Sequence, residues 1–335
     1  MKNVRAALCI LDSARADFLP PDIFNELTAQ LPDLVEVPAG ESWNKDPGFF
    51  ERVRPEILIT GWGAPRLPAS RAAMPSVQYV CHLAGTTRSL VDISLLKEGL
   101  LATNWGTCHA ATVAECALML ILASLRRLTK TCLEMHVEKG WLWPSEVRPA
   151  SLYGRKVGIH GFGAVARSLI PLLRPFGVEI TAYSQGVPDH LFAEWGVLQA
   201  STLEELFASS KVLVEVEAAS PENLGSVTEK HLRLLGEDAV FVNVGRAAVV
   251  EEAGLLLVAQ EGRLQMGLDV FHQEPLPQDS ILRGLPNVCL LAHQAGPTPD
   301  RQSDCGRFAL ENIRAYLQGK PLQGLVTVEK AQRAT

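Results

Sequence analysis

Three ionisable residues stand just after predicted strands in the second half of the 335-residue chain. Arg246 follows an apolar run that ends at Gly245, Glu274 closes a segment that begins at Gly267, and His293 follows a third run. A guanidinium binds anions, and an imidazole can transfer protons near neutral pH. Because ligands bind at the carboxyl ends of strands in open α/β folds, we expect these side chains at one such edge. Taken singly, each residue type is more often a surface or capping group than a catalyst.

A glycine-rich turn lies upstream of these residues, in segment 157–166. A strand is followed there by G-x-G-x-x-A opening a helix, which is the order that the dinucleotide fingerprint requires. Gly161 permits the tight turn, Gly163 lets the backbone approach a pyrophosphate, and Ala166 allows close contact between helix and strand. The N-terminus of the helix predicted over 164–174 offers free amides and a positive dipole end to the phosphates. The pattern predicts a dinucleotide cofactor.

The residue that usually recognises the adenosine ribose is not acidic in this chain. NAD-binding units carry an acidic residue about 20 positions after the glycines, at the end of the second strand. Ser184 stands at that place, where it either contacts the ribose or forms an ordinary turn. Without a carboxylate there is no repulsion of a 2′-phosphate, yet Gln185 and Gly186 supply no arginine to attract one. The choice between NAD and NADP stays open, with NAD favoured.

The elements that must position these residues alternate between apolar runs and helix-length amphipathic segments, a pattern typical of parallel sheets covered by helices. Thr112 and Glu115 form a capping box that begins a long helix predicted over 112–139. A last helix is predicted over 300–317. Strands are predicted over 5–11, 35–37, 57–60 and 77–84, and then over 157–159, 179–183, 212–216, 239–243, 265–268 and 288–292. The sequence therefore predicts an α/β protein with two sheets.

Composition excludes several other classes of protein. Hydrophobic residues make up 47% and charged residues 20% of the chain, as in globular proteins. A net charge of −6 argues against a nucleic-acid partner. The longest apolar stretch, 116–125, is about half of the roughly 20 residues that a membrane helix needs, and the first apolar run indicates a strand rather than a leader. Seven cysteines without a C-x-x-C pair suggest neither a disulfide framework nor a metal site, so we expect a cytoplasmic protein.

The chain resembles the D-isomer-specific 2-hydroxyacid dehydrogenase family over nearly its whole length. This family includes glyoxylate and hydroxypyruvate reductases and phosphoglycerate dehydrogenase. The motifs that carry the resemblance follow the glycine turn in order, and they are N-V-G-R at 243–246, G-L-D-V-F-x-x-E-P at 267–275 and P-N-V-x-L-x-x-H at 286–293.

The resemblance implies an NAD(P)-dependent oxidoreductase that transfers a hydride between nicotinamide and C2 of a small 2-oxo or 2-hydroxy acid. It implies that Arg246 holds the substrate carboxylate and polarises the keto oxygen, and that His293 transfers the proton. Glu274 would fix the tautomer of His293 and raise its basicity. The implied cofactor-binding positions are Gly161, Phe162, Gly163, Ala164, Val165, Ser184, Val244, Gly245 and Asp269. The implied substrate-binding positions are Ala84, Gly85, Thr86, Asn104 and Arg246.

The resemblance also implies an architecture of two doubly wound, Rossmann-like domains, with the nucleotide-binding domain inserted into the substrate domain. Residues 1–102 and 297–335 would form the substrate domain, and 103–296 the dinucleotide-binding domain. Closure of the two would exclude water from the reaction. A homodimer would form through helix 112–139 and Trp141.

The chain departs from the family pattern at several positions, and two rival functions stay open. Val216, Glu217 and Ala218 stand where the family has His-x-Pro, and Ala164 stands where many members have an arginine. The loop that contains the substrate-binding positions Ala84, Gly85 and Thr86 also differs from the family pattern, which leaves the identity of the 2-oxo or 2-hydroxy acid open. One rival is a non-enzymatic NAD-sensing dimer, because corepressors that resemble this family retain much of the site. The other is a formate dehydrogenase, against which Glu274 argues, since those enzymes pair the histidine with glutamine.

Overall fold

The computed structural model describes residues 4–333 of the chain, and these form two compact units. One unit contains the described residues up to His109 together with those from Pro297 onwards, and the other is Ala110–Gly296. The first division was expected at residue 102. Residues 103–109 group with the first unit, in which Asn104 donates a hydrogen bond to Gly85 O and its own backbone N–H bonds to Gly324 O.

The part of the chain that the structure describes forms twelve strands, ten of which coincide with apolar runs of the sequence. In chain order they are β1 Ala6–Cys9, β2 Leu34–Glu36, β3 Ile57–Thr60, β4 Tyr79–His82, β5 Leu101–Thr103, β6 Lys156–His160, β7 Glu179–Tyr183, β8 Leu198–Gln199, β9 Val212–Glu215, β10 Val240–Asn243, β11 Gln265–Leu268 and β12 Val288–Leu290. The sequence pattern did not predict β5 or β8. Both are very short, with three residues in β5 and two in β8, and β8 is exposed along its length.

The helices lie between the strands, except the last two, which follow β12. In chain order they are α1 Asp12–Phe18, α2 Pro21–Gln30, α3 Phe49–Val53, α4 Ile93–Lys97, α5 Ala110–Leu125, α6 Leu128–Cys132, α7 Pro144–Val147, α8 Ala164–Leu173, α9 Asp189–Glu194, α10 Leu203–Ser209, α11 Glu229–Leu234, α12 Glu252–Glu261, α13 Gln302–Leu317 and α14 Val328–Arg333. A π-helical turn, Leu133–Glu138, follows α6.

The long helix predicted over 112–139 is wrong as a single element. It is interrupted between α5 and α6, where Arg127 adopts a left-handed backbone with φ of +54°. The Arg127 side chain is buried and donates a hydrogen bond of 2.7 Å to Asp238 Oδ1. The predicted capping box is also wrong, because α5 begins at Ala110 and Thr112 therefore lies inside the helix.

Both sheets are entirely parallel. The sheet of the first unit has the order β2-β1-β3-β4-β5, and that of the second has the order β12-β11-β10-β9-β6-β7-β8. In β1, Ala6 and Leu8 pack into one apolar cluster while Ala7 and Cys9 pack into another, so helices cover both faces. Two further clusters flank the second sheet in the same way. The predicted α/β class with two doubly wound sheets is confirmed.

Candidate active site

The glycine-rich turn joins β6 to α8 in the second unit. Gly161 has φ of +103°, and a Cβ there would lie 2.7 Å from the backbone N of Glu217, so only glycine fits without a shift. Gly163 is the N-cap of α8, and a Cβ there would meet no atom within 4 Å. Ala166 is fully buried in the core. The fold therefore requires glycine at 161, whereas the space beside Gly163 is open to a ligand.

The first turn of α8 suits the pyrophosphate of a dinucleotide. No side chain caps its free N–H groups, and the positive end of the helix dipole points outwards there. Arg167, one turn into the helix, has a buried Nε without a hydrogen-bond partner among the described residues. Its guanidinium lies 5.5 Å from the ring centre of Phe162. A buried donor without a partner is rare in proteins, so the residues present fit an anionic group at this turn.

Arg246 is held in place by the turn that follows β10. The buried side chain of Asn243 accepts a hydrogen bond of 3.1 Å from the backbone N of Gly245 and donates one of 3.3 Å to Arg246 O. The Arg246 guanidinium donates to Gly245 O at 2.8 Å. Burial lowers the pKa of Arg246, and the negative charge of Glu274 opposes this shift. The N-V-G-R motif thus forms a closed turn, and Arg246 lies close enough to Glu274 for their charges to interact.

His293 and Glu274 form a direct pair. The Nδ1 atom of His293 lies 2.7 Å from Glu274 Oε2, and Glu274 Oε1 accepts a hydrogen bond of 3.0 Å from the backbone N of Phe271. An ionised carboxylate only accepts hydrogen bonds, so Nδ1 must carry the proton and Nε2 is the nitrogen that can exchange one with a substrate. About half of the His293 side chain is exposed, which leaves the ring accessible.

Asp269 supports the loop that presents His293. Its carboxylate is fully buried and accepts hydrogen bonds of 2.7 Å and 3.0 Å from the backbone N atoms of Gln294 and Ala295. The backbone O of Asp269 accepts a third, of 2.9 Å, from His293 N. His293 itself has φ of +53°, which is uncommon outside glycine. The side-chain hydrogen bonds of Asp269 are thus with this loop, although the resemblance implies a place beside the nicotinamide.

The strand order brings these residues to one edge of the sheet. Strands β10, β11 and β12 are neighbours, so Arg246, Asp269 and His293 follow three adjacent parallel strands. On the other side of β10 lies β9, where a Cβ at Gly245 would come within 2.9 Å of Val216 Cα. The next strand along is β6, which leads into the glycine turn. The predicted catalytic residues and the predicted cofactor residues therefore share one carboxyl edge.

Three ionisable residues at this edge were not among the predicted site residues. His160, the last residue of β6, has its Nδ1 atom 2.5 Å from Oε2 of Glu215, the last residue of β9, and both side chains are buried. Burial lowers the pKa of His160, but the charge and hydrogen bond of Glu215 outweigh that effect, so the pKa is raised. Glu217, two residues further on, bonds to Ser184. An ionisable residue at the end of each of two apolar strands was the signal that could have revealed the buried pair.

The predicted substrate loop lies in the first unit, after β4. Asn104 donates a hydrogen bond of 2.7 Å from Nδ2 to Gly85 O, and the backbone N of Trp105 bonds to Ala84 O at 3.2 Å. Thr86 is exposed. The structure therefore brings Ala84, Gly85, Thr86 and Asn104 together. Beneath the loop, the buried His82 lies 2.9 Å from Thr60 Oγ1, and burial lowers the pKa of His82 to about 4.

Neither a metal centre nor a membrane span is present in the part of the chain that the structure describes. Within residues 4–333, no three histidine, cysteine, aspartate or glutamate side chains are grouped so that they could hold a metal ion. No helix in that range combines the length and the apolar character needed to cross a bilayer.

Comparison with known proteins identifies the family. Residues 118–295 match the family model described as D-isomer specific 2-hydroxyacid dehydrogenase, NAD binding domain. A 2-ketogluconate reductase of Gluconobacter oxydans is 30% identical over 279 residues, which is 82% of this chain and 87% of that protein. The chain belongs to the D-isomer-specific 2-hydroxyacid dehydrogenase family. A glyoxylate/hydroxypyruvate reductase of Arabidopsis thaliana is also 30% identical, over 84% of this chain and 87% of its own length.

A solved structure shows the same fold. The NADPH-dependent glyoxylate/hydroxypyruvate reductase of Sinorhizobium meliloti, in complex with citrate, superposes with a TM-score of 0.78 at 24% identity, over 99% of this chain and all of that one. Membership of the family makes this chain an NAD(P)-dependent oxidoreductase that transfers a hydride between nicotinamide and C2 of a 2-oxo or 2-hydroxy acid. The predicted family, enzyme class and cofactor are confirmed. The relatives named above are all reductases, and none of them favours the non-enzymatic alternative.

Proposed function

We propose that this enzyme reduces a small 2-oxo acid to the 2-hydroxy acid, with Arg246, Glu274 and His293 as its catalytic residues. The observation that carries the proposal is the 2.7 Å contact between His293 Nδ1 and Glu274 Oε2, at the edge of the sheet that also holds Arg246. Glutamate rather than glutamine at 274 favours this chemistry over formate oxidation.

In the proposed reaction, side chains of the protein transfer the proton and stabilise the negative charge. When bound, the nicotinamide supplies the hydride that adds to C2. His293 donates a proton from Nε2 to the keto oxygen, while Glu274 keeps Nδ1 protonated and holds the ring in position. Arg246 binds the substrate carboxylate through its fork of donors and stabilises negative charge on the keto oxygen. In the reverse direction, His293 takes the proton of the hydroxyl.

The residues proposed to hold the cofactor lie around the glycine turn. Gly163, Ala164 and Val165 present backbone N–H groups at the start of α8, and Arg167 adds a cation one turn later. Phe162 forms the floor of the turn, where it is buried against Phe192 with ring centres 4.3 Å apart. The turn at Val244 and Gly245 lines the next strand end. We assign Asp269 to the positioning of His293.

The substrate class is proposed from the first unit and from the relatives. The N–H groups of the loop at Ala84, Gly85 and Thr86 would receive the substrate carboxylate, and Asn104 would hold this loop through its bond to Gly85. The relatives reduce 2-ketogluconate, glyoxylate or hydroxypyruvate by name. Glyoxylate and hydroxypyruvate are therefore the first acids to test. We propose that the first unit is the substrate domain, into whose chain the nucleotide-binding domain is inserted.

Assembly and compartment complete the proposal. A homodimer is supported by exposed aromatic side chains after α6, where Trp141 and Trp143 are each 64% exposed. Val137 in the preceding π-helical turn is 63% exposed. We also propose a reducing compartment such as the cytoplasm, because the cysteines are odd in number, seven, and their spacing includes no C-x-x-C pair.

The test is turnover with a matched set of variants. Consumption of NADH and of NADPH is followed by absorbance with glyoxylate, hydroxypyruvate and 2-ketogluconate. We expect His293→Ala to reduce kcat by about two to four orders of magnitude, as for the loss of a general acid. Glu274→Gln should reduce kcat about 10- to 100-fold, as for the loss of a group that orients a histidine. His190→Ala, at an exposed histidine of α9, is the control and should leave turnover unchanged.

Two outcomes would contradict the proposal. Undiminished turnover in His293→Ala would remove His293 from the reaction. Tight binding of NADH without turnover of any acid in a broad panel would favour the NAD-sensing alternative.

A further inference from the structure

The side chain of Glu217 links the ends of two strands at the carboxyl edge of the second sheet, beside the glycine turn. It follows β9, whereas its side chain reaches Ser184, which follows β7. Strand β6 lies between these two in the sheet. The chain therefore passes over the end of β6, where the backbone of Glu217 lies so close to Gly161 that a Cβ on Gly161 would be 2.7 Å from Glu217 N. The glycine turn and Glu217 are packed against each other.

The carboxylate of Glu217 and its backbone are fixed at that position by three hydrogen bonds. Ser184 Oγ donates to Oε2 at 2.6 Å, and the backbone N of Ala218 donates to Oε1 at 3.0 Å. The backbone N of Glu217 donates to Glu215 Oε1 at 2.9 Å. Glu215 is itself anchored by the buried pair with His160. Because a carboxylate offers about four acceptor sites, two remain for a ligand.

This position is the one at which dinucleotide-binding units recognise the adenosine ribose. In such units an acidic residue at the end of the second strand accepts hydrogen bonds from the ribose hydroxyls. Ser184 occupies the sequence position of that acid, because it directly follows β7. A serine hydroxyl carries no charge, but the carboxylate that it orients does. The structure thus places an acidic group beside the expected ribose site from a different strand.

We propose that Glu217 takes the place of the missing acid and makes this enzyme specific for NAD. Its carboxylate accepts hydrogen bonds from the 2′- and 3′-hydroxyls of the adenosine ribose, and Ser184 positions it. NADP carries a 2′-phosphate with up to two negative charges, which the carboxylate would repel. NADP also has no 2′-hydroxyl that could donate a hydrogen bond to Glu217. The inference rests on the proposed function only in that the cofactor binds at the glycine turn.

The test measures cofactor binding without any 2-oxo acid. Dissociation constants for NADH and NADPH are determined by isothermal titration calorimetry on the full chain. We expect the wild type to bind NADH at least about tenfold more tightly than NADPH. Glu217→Gln should weaken NADH binding about 10- to 100-fold, since a charge-assisted contact is removed, and should leave NADPH equal or tighter. Glu194→Gln, which removes one exposed charge from α9, is the control and should preserve the preference.

A variant that moves the carboxylate to another residue tests whether Glu217 recognises the ribose or only supports the fold. Ser184→Asp combined with Glu217→Gln puts the acid directly after β7, and we expect it to restore the preference for NADH that Glu217→Gln loses. Circular dichroism and thermal melting of each variant check the fold. A merely structural Glu217 would not be rescued in this way.

Each contrary result overturns the inference. The inference fails if the wild type binds NADPH as tightly as NADH, or if Glu217→Gln keeps the wild-type ratio of the two constants. Because binding is measured without substrate, these results are distinct from a failure of turnover, which bears on the catalytic residues alone.

Discussion

The backbone of His293 is held in an uncommon conformation by one buried carboxylate. Asp269 accepts the N–H groups of the two residues that follow His293, and its own carbonyl accepts that of His293. A left-handed backbone costs about 1–2 kcal/mol for a residue other than glycine, so it persists only where surrounding contacts hold it. The ring reaches Glu274 because this loop is fixed.

Replacing Asp269 with Asn tests this support. Asparagine keeps the shape but removes one acceptor, so a buried N–H loses its partner, which costs about 1–3 kcal/mol of the free energy of unfolding. We expect kcat to fall because His293 is displaced, while the affinity for NADH is retained. Urea denaturation, steady-state kinetics and calorimetric titration measure the three quantities, with Asp279→Asn at an exposed position as control. A loss of NADH affinity equal to the loss of kcat would instead make Asp269 a direct cofactor contact.

The β6-α8 turn combines two glycines that serve different purposes. Gly161 has a positive φ and faces the backbone of Glu217, so the element itself depends on it. Gly163 has an ordinary backbone and open space where its side chain would be. A substitution at each position therefore separates the needs of the fold from those of the ligand.

We expect Gly161→Ala mainly to lower the free energy of unfolding and Gly163→Ala mainly to weaken NADH binding. Gly161→Ala should lower the free energy of unfolding by about 1–3 kcal/mol, through strain at positive φ and the close contact with Glu217. Gly163→Ala should change it by less than about 1 kcal/mol, since alanine adopts this backbone, yet it should weaken NADH binding because the methyl group occupies ligand space. Thermal unfolding and calorimetry distinguish them. Equal destabilisation by both variants would show that the space beside Gly163 is needed by the fold.

Among the buried histidines, His82 and His160 have pKa values that move in opposite directions, so we expect the stability of the whole molecule to depend on pH. Burial lowers the pKa of His82 in the first unit to about 4, whereas Glu215 raises the pKa of His160 in the second. An unfolded histidine titrates near pH 6.5. Below pH 6.5, His82 therefore binds fewer protons in the folded chain than in the unfolded chain. Above pH 6.5, His160 binds more protons in the folded chain than in the unfolded chain. His82 makes the fold less stable as pH falls towards about 4, and the stability from His160 is lost as pH rises through its raised pKa.

The two effects can be assigned by substitution. We expect His82→Gln to flatten the acid side of the stability curve, by up to about 3 kcal/mol between pH 6.5 and pH 4, because a tenfold change in proton affinity corresponds to about 1.4 kcal/mol. His160→Gln should flatten the alkaline side, even though it lowers stability overall by leaving Glu215 without its partner. Urea denaturation from about pH 4.5 to pH 9 gives both slopes. A variant that keeps the wild-type slope on its own side would refute the assignment for that residue.

The exposed apolar side chains after α6 bear on assembly. Large patches of this kind on a folded surface mark association sites. We expect the wild type to sediment as a dimer and the variant Trp141→Ser with Trp143→Ser to sediment as a monomer. Leu257→Ser, at a 44% exposed leucine of α12, is the matched control and should stay dimeric. A wild type that sediments as a monomer at micromolar concentration would rule out this assembly.

Short stretches of sequence were enough to predict most of the elements and the local chemistry. Runs such as Val212 to Glu215 predict strands because a buried parallel strand is apolar on both faces. The glycine turn predicts the cofactor because its requirements are met within ten consecutive residues. Arg246, Glu274 and His293 could be found because each lies just beyond a strand, and parallel strands end at a common edge. These features depend on residues that are close together in the chain.

The meeting of distant residues became visible only in the assembled sheet. Ser184 and Glu217 are 33 positions apart, and His160 and Glu215 are 55 apart, yet both pairs bond because β9, β6 and β7 are neighbours in the sheet. Strand order is not encoded in hydrophobic periodicity, so no pattern in the chain pairs these groups. The break at Arg127 depends in the same way on Asp238, 111 positions away. The periodicity of a segment determines its element, whereas the partners of its polar groups are determined only when the strands come together.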